Sequence, residues 1–175
     1  MQQKSGMAYA FDPDKEGALV WSYRTSQGSG FGGQWGAAVD DKHAYFGVVA
    51  QTPGGVRAVN IDTGAEVWSK AAAEKLCGTA RGCSASQGGA VTAIPGVVFS
   101  GSMDGGLRAY STDNGTILWT YDTNREFQTV NGVKALGGGL DGPGAIVSGG
   151  MIYFNSGYGG FVGNPGNVLL AFGVE

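Results

Sequence analysis

The stretch from Gly89 to Thr120, GAVTAIPGVVFSGSMDGGLRAYSTDNGTILWT, holds four short apolar runs separated by turn signals. Ala90-Val91-Thr92-Ala93-Ile94 is closed by Pro95-Gly96, and Val97-Val98-Phe99-Ser100 by Asp104-Gly105-Gly106. Leu107-Arg108-Ala109-Tyr110 is closed by Asp113-Asn114-Gly115, and Thr116-Ile117-Leu118-Trp119 completes the set. Runs this short, rich in Val, Ile, Thr and aromatics and bounded by Gly, Pro, Asn and Asp, read as strands joined by tight turns, with no room for a helix. Such a four-stranded meander is apolar on both faces and needs copies of itself to pack against.

The chain supplies them. Gly54–Lys70 repeats the second half of the unit: Arg57-Ala58-Val59 matches Arg108-Ala109-Tyr110, Asp62-Thr63-Gly64 matches Asp113-Asn114-Gly115, and Val67-Trp68 matches Leu118-Trp119. Gly6–Arg24 is a third copy, and Asn167–Phe172 begins a fourth. Trp21, Trp68 and Trp119 recur at intervals of 47 and 51 residues. A four-stranded repeat of about that length is the signature of a β-propeller blade. The turn needs Gly where φ is positive. The Trp after it, on the outermost strand, offers a flat apolar face and one N–H donor, suited to covering the gap to the next blade.

The order Arg108-Ala109-Tyr110, glycine turn, Leu118-Trp119 resembles the tryptophan-docking motif of the quinoprotein propellers, which bind pyrroloquinoline quinone. Within that group three stretches are similar to polyvinyl-alcohol dehydrogenases: Phe99–Tyr110, Val130–Lys134 with Gly138–Gly144, and Tyr153–Gly159 with Pro165–Phe172. The fold expected is therefore all-β, a partial propeller of about three four-stranded antiparallel blades, with blade boundaries near 1–25, 26–70, 71–123 and 124–175. The first copy starts at its third strand, so thirteen strands are expected and the chain reads as the C-terminal part of a larger propeller. The rest of that propeller is an expected partner, and the segment alone should associate through its open edges.

The resemblance also implies an activity: oxidation of alcohol groups, of the polyvinyl-alcohol secondary type, with electrons passed to a cytochrome c. It implies pyrroloquinoline quinone as cofactor, and a calcium ion whose ligands lie outside this segment. The alternative in the same repeat family is a non-catalytic scaffold for protein–protein contacts, as in outer-membrane protein assembly. WD-repeat propellers are excluded, since their Gly-His and Trp-Asp pairs are missing.

In a propeller the first strand of each blade lines the central channel. The three crossings deliver Gln34-Trp35, Gln87-Gly88 and Asp141-Gly142 to equivalent places at its mouth, flanked by loops bearing Arg81, Asn131 and Lys134. An aromatic plane, amides, cations and a carboxylate suit a planar anionic quinone. Gln34, Trp35, Arg81, Gln87, Asn131 and Lys134 are thus the candidate cofactor residues, and Asp141 the candidate catalytic group. Trp35 could equally pack against the next blade.

Cys77 and Cys83 lie six apart on the long crossing 71–87. A disulfide there suits an oxidising compartment, periplasmic or secreted. Two free buried thiols are the alternative, while the single His argues against zinc. His43, among charged residues at a turn, reads as a solvated side chain and excludes Ser-His-Asp or Cys-His chemistry. Charged residues are 14% and the net charge is −3, with no basic stripe, so nucleic acid is excluded as a partner. No apolar run reaches the ~18 residues of a membrane span.

Overall fold

The computed structural model describes residues 1–28, 35–49, 54–72, 75–79, 83–158 and 163–174. Among these described residues fifteen strands run in chain order: β1 (Met7–Asp12), β2 (Ala18–Arg24), β3 (Ala38–Val39), β4 (His43–Val48), β5 (Gly55–Asn60), β6 (Glu66–Ala71), β7 (Thr92–Ile94), β8 (Val97–Gly101), β9 (Gly106–Ser111), β10 (Ile117–Asp122), β11 (Glu126–Gln128), β12 (Lys134–Leu136), β13 (Ile146–Ser148), β14 (Met151–Ser156) and β15 (Val168–Gly173). The only helical element among the described residues is a 3-10 turn, Pro13–Lys15.

β3-β4-β5-β6 and β7-β8-β9-β10 are complete four-stranded antiparallel meanders. β1-β2 and β13-β14-β15 are partial blades of the same kind. The ring is not closed, so the propeller is partial. Two differences from the sequence reading stand out. The crossing after β10 contains a hairpin of its own, β11-β12, closed at Thr129–Val133. The inner strand after Trp35 is only Ala38–Val39, leaving Trp35 outside the sheet.

The outer strands share an irregularity that composition does not reveal. Ala10 pairs with Trp21, Ala58 with Trp68 and Ala109 with Trp119, and the register slips immediately beside each pair. The extra residue is Val20, Val67 or Leu118, which are 52%, 45% and 56% exposed. A bulge re-aims the side chains around it. Here it turns the preceding aliphatic outward and leaves the indole facing the neighbouring blade.

Three apolar clusters fill the gaps between blades. Ala8, Trp21, Ala44, Phe46 and Val59 join the first and second blades. Tyr45, Val56, Trp68, Val91, Val98 and Tyr110 join the second and third. Leu107, Leu140, Ala145 and Phe154 join the third and fourth, with Trp119 and Phe172 at the margin. Tyr45 and Phe46 are neighbours on β4 yet serve different clusters, because successive strand residues point to opposite faces.

Turns fix the two rims. On one, the Thr112 amide donates to the Gly96 carbonyl at 3.2 Å, tying the β9–β10 turn to the β7–β8 turn. On the other, the Met103 amide donates to Ser86 and the Leu140 amide to Ser102, both at 3.0 Å, seating the β8–β9 turn against two crossings. The second rim carries the candidate site.

Candidate functional site

Residues leading into the inner strands meet across the blades. The Val91 amide donates to the Gly36 carbonyl at 3.2 Å, and the Ala90 amide to the Gly142 carbonyl at 2.8 Å. Deeper in, the Thr92 hydroxyl donates to the Ala145 carbonyl at 2.7 Å. This ladder sets Trp35-Gly36, Gln87–Ala90 and Asp141-Gly142 side by side at one mouth.

Trp35 is 50% exposed there, so much of its indole is open to the rim. Gln87 is fully buried. Its amide donates to the Val48 carbonyl at 3.0 Å, its Nε2 donates to the Tyr110 hydroxyl at 2.5 Å, and its Oε1 has no partner among the described residues. Glycine at position 47 is a steric requirement of this approach, since a Cβ would lie 2.5 Å from the Gln87 carbonyl oxygen.

Asp141 is half-buried, and its Oδ1 is a buried oxygen without a hydrogen-bond partner among the described residues. Burial without compensation pushes its carboxyl above the ordinary aspartate value. A Cβ at Gly88 would lie 3.1 Å from that oxygen and 3.2 Å from the Met103 Cε, so the absence of a side chain at 88 gives the carboxylate its room. A half-solvated acid with a raised pKa and an oxygen that no described residue satisfies can take up a proton.

Behind this wall lies a network the sequence reading passed over. Arg108 and Asp104 are both buried and pair at 2.9 Å. Arg108 also donates to the Ser102 hydroxyl, which in turn donates to Asp104. Burial would raise the Asp104 carboxyl, but the Arg108 guanidinium and the Ser102 hydroxyl outweigh it and hold it below the usual range. The Leu76 amide donates to Asp104 Oδ2 at 3.1 Å, anchoring the crossing on which Cys77 and Cys83 form a disulfide. Asp104 looked like a turn former. The available signal was Arg108 four residues on, at the repeat position of Arg57.

Asn131 and Lys134 are exposed on the β11-β12 hairpin. Asn131 interacts with Thr129 and Val133 within the hairpin, and the described contacts bring neither residue to Asp141 or Gln87. Gln34 and Arg81 lie outside the described residues. Trp21 and Trp68 are buried between blades, whereas Trp119 is only partly buried.

His43 is a correction. Its side chain is only 15% exposed, its Nδ1 is 3.2 Å from the Tyr45 hydroxyl and 3.9 Å from Asp40. It is a packed residue on the rim away from the mouth, lining a cleft with Pro95 and Thr112. The strand that starts at residue 43 carries it inward.

Comparison with known proteins agrees with this architecture. The family model described as outer membrane protein assembly factor BamB matches residues 4–163. A polyvinylalcohol dehydrogenase from Pseudomonas sp is 44% identical over 189 residues, covering 99% of this chain. A polyvinylalcohol dehydrogenase from Sphingopyxis sp. (strain 113P3) is 39% identical over 193 residues, again covering 99%. The chain spans 30% of the length of each of these relatives. Among solved structures, BamB from Moraxella catarrhalis superposes with a TM-score of 0.60 at 19% identity, over 98% of this chain and 41% of that one. The computationally designed Ika4 protein superposes with a TM-score of 0.63 at 13% identity, over 99% of this chain and 83% of that one. At those identities the structures establish the fold alone.

Proposed function

The chain belongs to the family described as outer membrane protein assembly factor BamB, and within that fold we propose, from its dehydrogenase relatives, that it forms part of a quinone-dependent oxidoreductase acting on secondary alcohols of the polyvinyl-alcohol type. The observation that carries this reading is Asp141: an acid of raised pKa, with one buried oxygen that has no partner among the described residues, at the mouth where three inner strands meet. Two dehydrogenases at 44% and 39% identity over nearly the whole chain support the reaction class. The scaffold reading draws on the family model and a 19%-identical structure, which bear on fold and not on chemistry.

Among the described residues, the mouth fits the ring of a planar quinone but supplies no cation for its carboxylates. Trp35 offers an open indole face, and Gly88 is buried beside Asp141 and Met103. Arg108 is committed to Asp104, and Lys134 lies out on its hairpin. In this proposal the charged contacts come from Arg81 or from parts of the propeller outside the chain, as do the calcium ligands. Pyrroloquinoline quinone, when bound, supplies the two-electron acceptor, and a c-type cytochrome is the proposed onward acceptor in the periplasm. Asp141 accepts the proton of the secondary hydroxyl, and the alcohol leaves as a ketone. Trp35 orients what binds above it, while Gln87, buried beneath the rim against Tyr110, supports the wall rather than touching the ligand.

The test is a chimera in which this segment replaces the matching stretch of the Pseudomonas relative. Dye reduction is followed with pentane-2,4-diol under titrated quinone, with cytochrome c then substituted for the dye. Asp141→Asn should leave the quinone midpoint in place and lower turnover ~10²-fold or more. Unchanged turnover would remove Asp141 from the chemistry, and a chimera without quinone-dependent activity would leave the scaffold reading standing.

A further inference from the structure

The chain has seven asparagines, and two of them, Asn114 and Asn131, stand directly before a glycine. That order exposes an asparagine to its own backbone. The amide nitrogen of the next residue can attack the side-chain carbonyl carbon, and glycine has no Cβ to obstruct the approach. Both pairs sit in turns closed by that same amide: Gly115 donates to the Ser111 carbonyl at 2.9 Å, and Gly132 to the Thr129 carbonyl at 3.0 Å. Their surroundings differ.

The Asn114-Gly115 turn is sealed. Gly115 is buried, and a Cβ there would lie 2.6 Å from the Trp68 ring. Trp68 Nε1 donates to the Thr112 carbonyl at 2.9 Å, a grip that Trp21 repeats on the Ile61 carbonyl at 2.8 Å beside Gly64. Asn114 Oδ1 is also occupied, accepting the Thr116 amide at 2.9 Å. Attack here requires the turn to leave the indole.

The Asn131-Gly132 turn is open. Residues 130–134 are all exposed, and a Cβ at Gly132 would meet nothing within 4 Å. The ladder behind the turn is three pairs long, Glu126 with Leu136, Phe127 with Ala135 and Gln128 with Lys134. So short a surface ladder opens locally at little cost. Asn131 Oδ1 accepts the Val133 amide at 3.3 Å and the Thr129 hydroxyl, whose one proton is shared with the Val133 carbonyl. Donors at that oxygen polarise the carbonyl and hold the negative charge that develops on attack.

We infer that Asn131-Gly132 is a self-modification site whose conversion opens the β11-β12 hairpin. The Gly132 nitrogen gives up its proton and bonds to Asn131 Cγ. The Cγ–Nδ2 bond breaks, and the side-chain nitrogen leaves as ammonia with the proton. Water then opens the resulting cyclic imide at one of its two carbonyls. Opening at the backbone carbonyl leaves an isoaspartate, with the main chain running through the side chain and one methylene longer. A tight turn fixes hairpin register, so the added methylene unpairs β11 from β12. The inference rests on the hairpin and is independent of the proposed oxidation.

The test incubates the chain, folded and in urea, in mildly alkaline buffer. Conversion at each asparagine is followed by peptide mass mapping, and isoaspartate by enzymatic carboxyl methylation. In the folded chain Asn131 should convert at least about tenfold faster than Asn114, and in urea the two should converge. Thr129→Ala should slow Asn131 about tenfold in the folded chain only, and Thr129→Ser should restore the rate. In the isoaspartate form amide exchange across β11 and β12 should rise at least about tenfold, whereas Asn131→Asp, with its main chain unaltered, should keep its protection. The inference is overturned if Asn131 stays intact in the folded chain or if Asn114 keeps pace with it there. It is also overturned if Thr129→Ala converts as fast as wild type or faster, since a hydroxyl that only braces the turn would act that way. An isoaspartate form with undiminished hairpin protection would overturn it as well.

Discussion

The indole nitrogen of Trp68 donates to the carbonyl of Thr112 across the gap between the second and third blades, at 2.9 Å, with both groups buried. One side chain thus closes an apolar seam and satisfies a turn carbonyl. Trp68→Phe should keep most of the apolar contact and orphan the carbonyl, costing about 1–3 kcal/mol. Trp68→Ala should cost about 3–5 kcal/mol. Urea unfolding of the two variants separates the hydrogen bond from the packing, and a Trp68→Phe variant as stable as wild type would show that the bond contributes nothing.

Gly115 and Gly17 both have positive φ, 71° and 76°. A Cβ at 115 would strike the Trp68 ring, whereas one at 17 would meet nothing within 4 Å. Gly17→Ala should therefore show only the left-handed backbone cost, about 1–2 kcal/mol. Gly115→Ala should exceed it clearly, because the indole must shift. The comparison is read from unfolding midpoints, and equal losses would place Trp68 away from the turn.

Asp141 and Asp40 should give opposite pH dependences. Burial raises Asp141, so the folded state holds its proton more tightly than the unfolded chain does. That contribution is present at low pH and is lost as pH rises from the unfolded value through the folded one. Burial also acts to raise Asp40, but hydrogen bonds from the Tyr45 hydroxyl and the amides of Lys42 and His43 outweigh it and leave the carboxyl lowered. Its contribution is present above the unfolded value and fades as pH falls through the folded one. From about pH 2 to about pH 7, Asp141→Asn should gain stability relative to wild type as pH rises past about 4, whereas Asp40→Asn should match wild type most closely at the acid end and fall behind it as pH rises to about 4. Stability measured across that interval checks both signs.

Arg108 and Asp104 form a fully buried pair. Arg108→Met leaves a buried carboxylate without its cation and should cost about 3–5 kcal/mol. Adding Asp104→Asn should recover part of that loss, because the stranded charge is gone. A double-mutant cycle in urea measures it. Simple additivity would mean the two groups do not interact.

The recurrence of tryptophan, turn and glycine made the blades legible before any coordinates. A bulky indole and a glycine at positive φ are both hard requirements, and hard requirements leave a period in the sequence. The bulges left none, since Val20, Val67 and Leu118 are aliphatic like the buried residues around them and only the pairing shows them turned outward. The β11-β12 hairpin did carry a signal in Asn131-Gly132, a favoured hairpin turn, but its strands are only three residues long. At the mouth, the convergence of Trp35, Gln87 and Asp141 follows from topology and could be read from spacing. Asn131 and Lys134 could not be placed that way, because the hairpin carries them where no count along the crossing predicts. Asp104 was hidden by its dual nature, a turn residue whose carboxylate also balances a buried charge.

The forward reach of Trp21 to Ile61 and of Trp68 to Thr112 makes the molecule mechanically polar. The first and second blades each hang from the turn of their successor, and that tryptophan grip is one-way. A force that peels the chain from its C-terminal side removes the shelf on which the previous indole rests, so each step loosens the next. A force from the N-terminal side extracts an indole but leaves the following blade's turn intact. A processive unfoldase or an optical trap would therefore meet two different resistances, depending on which terminus it seized.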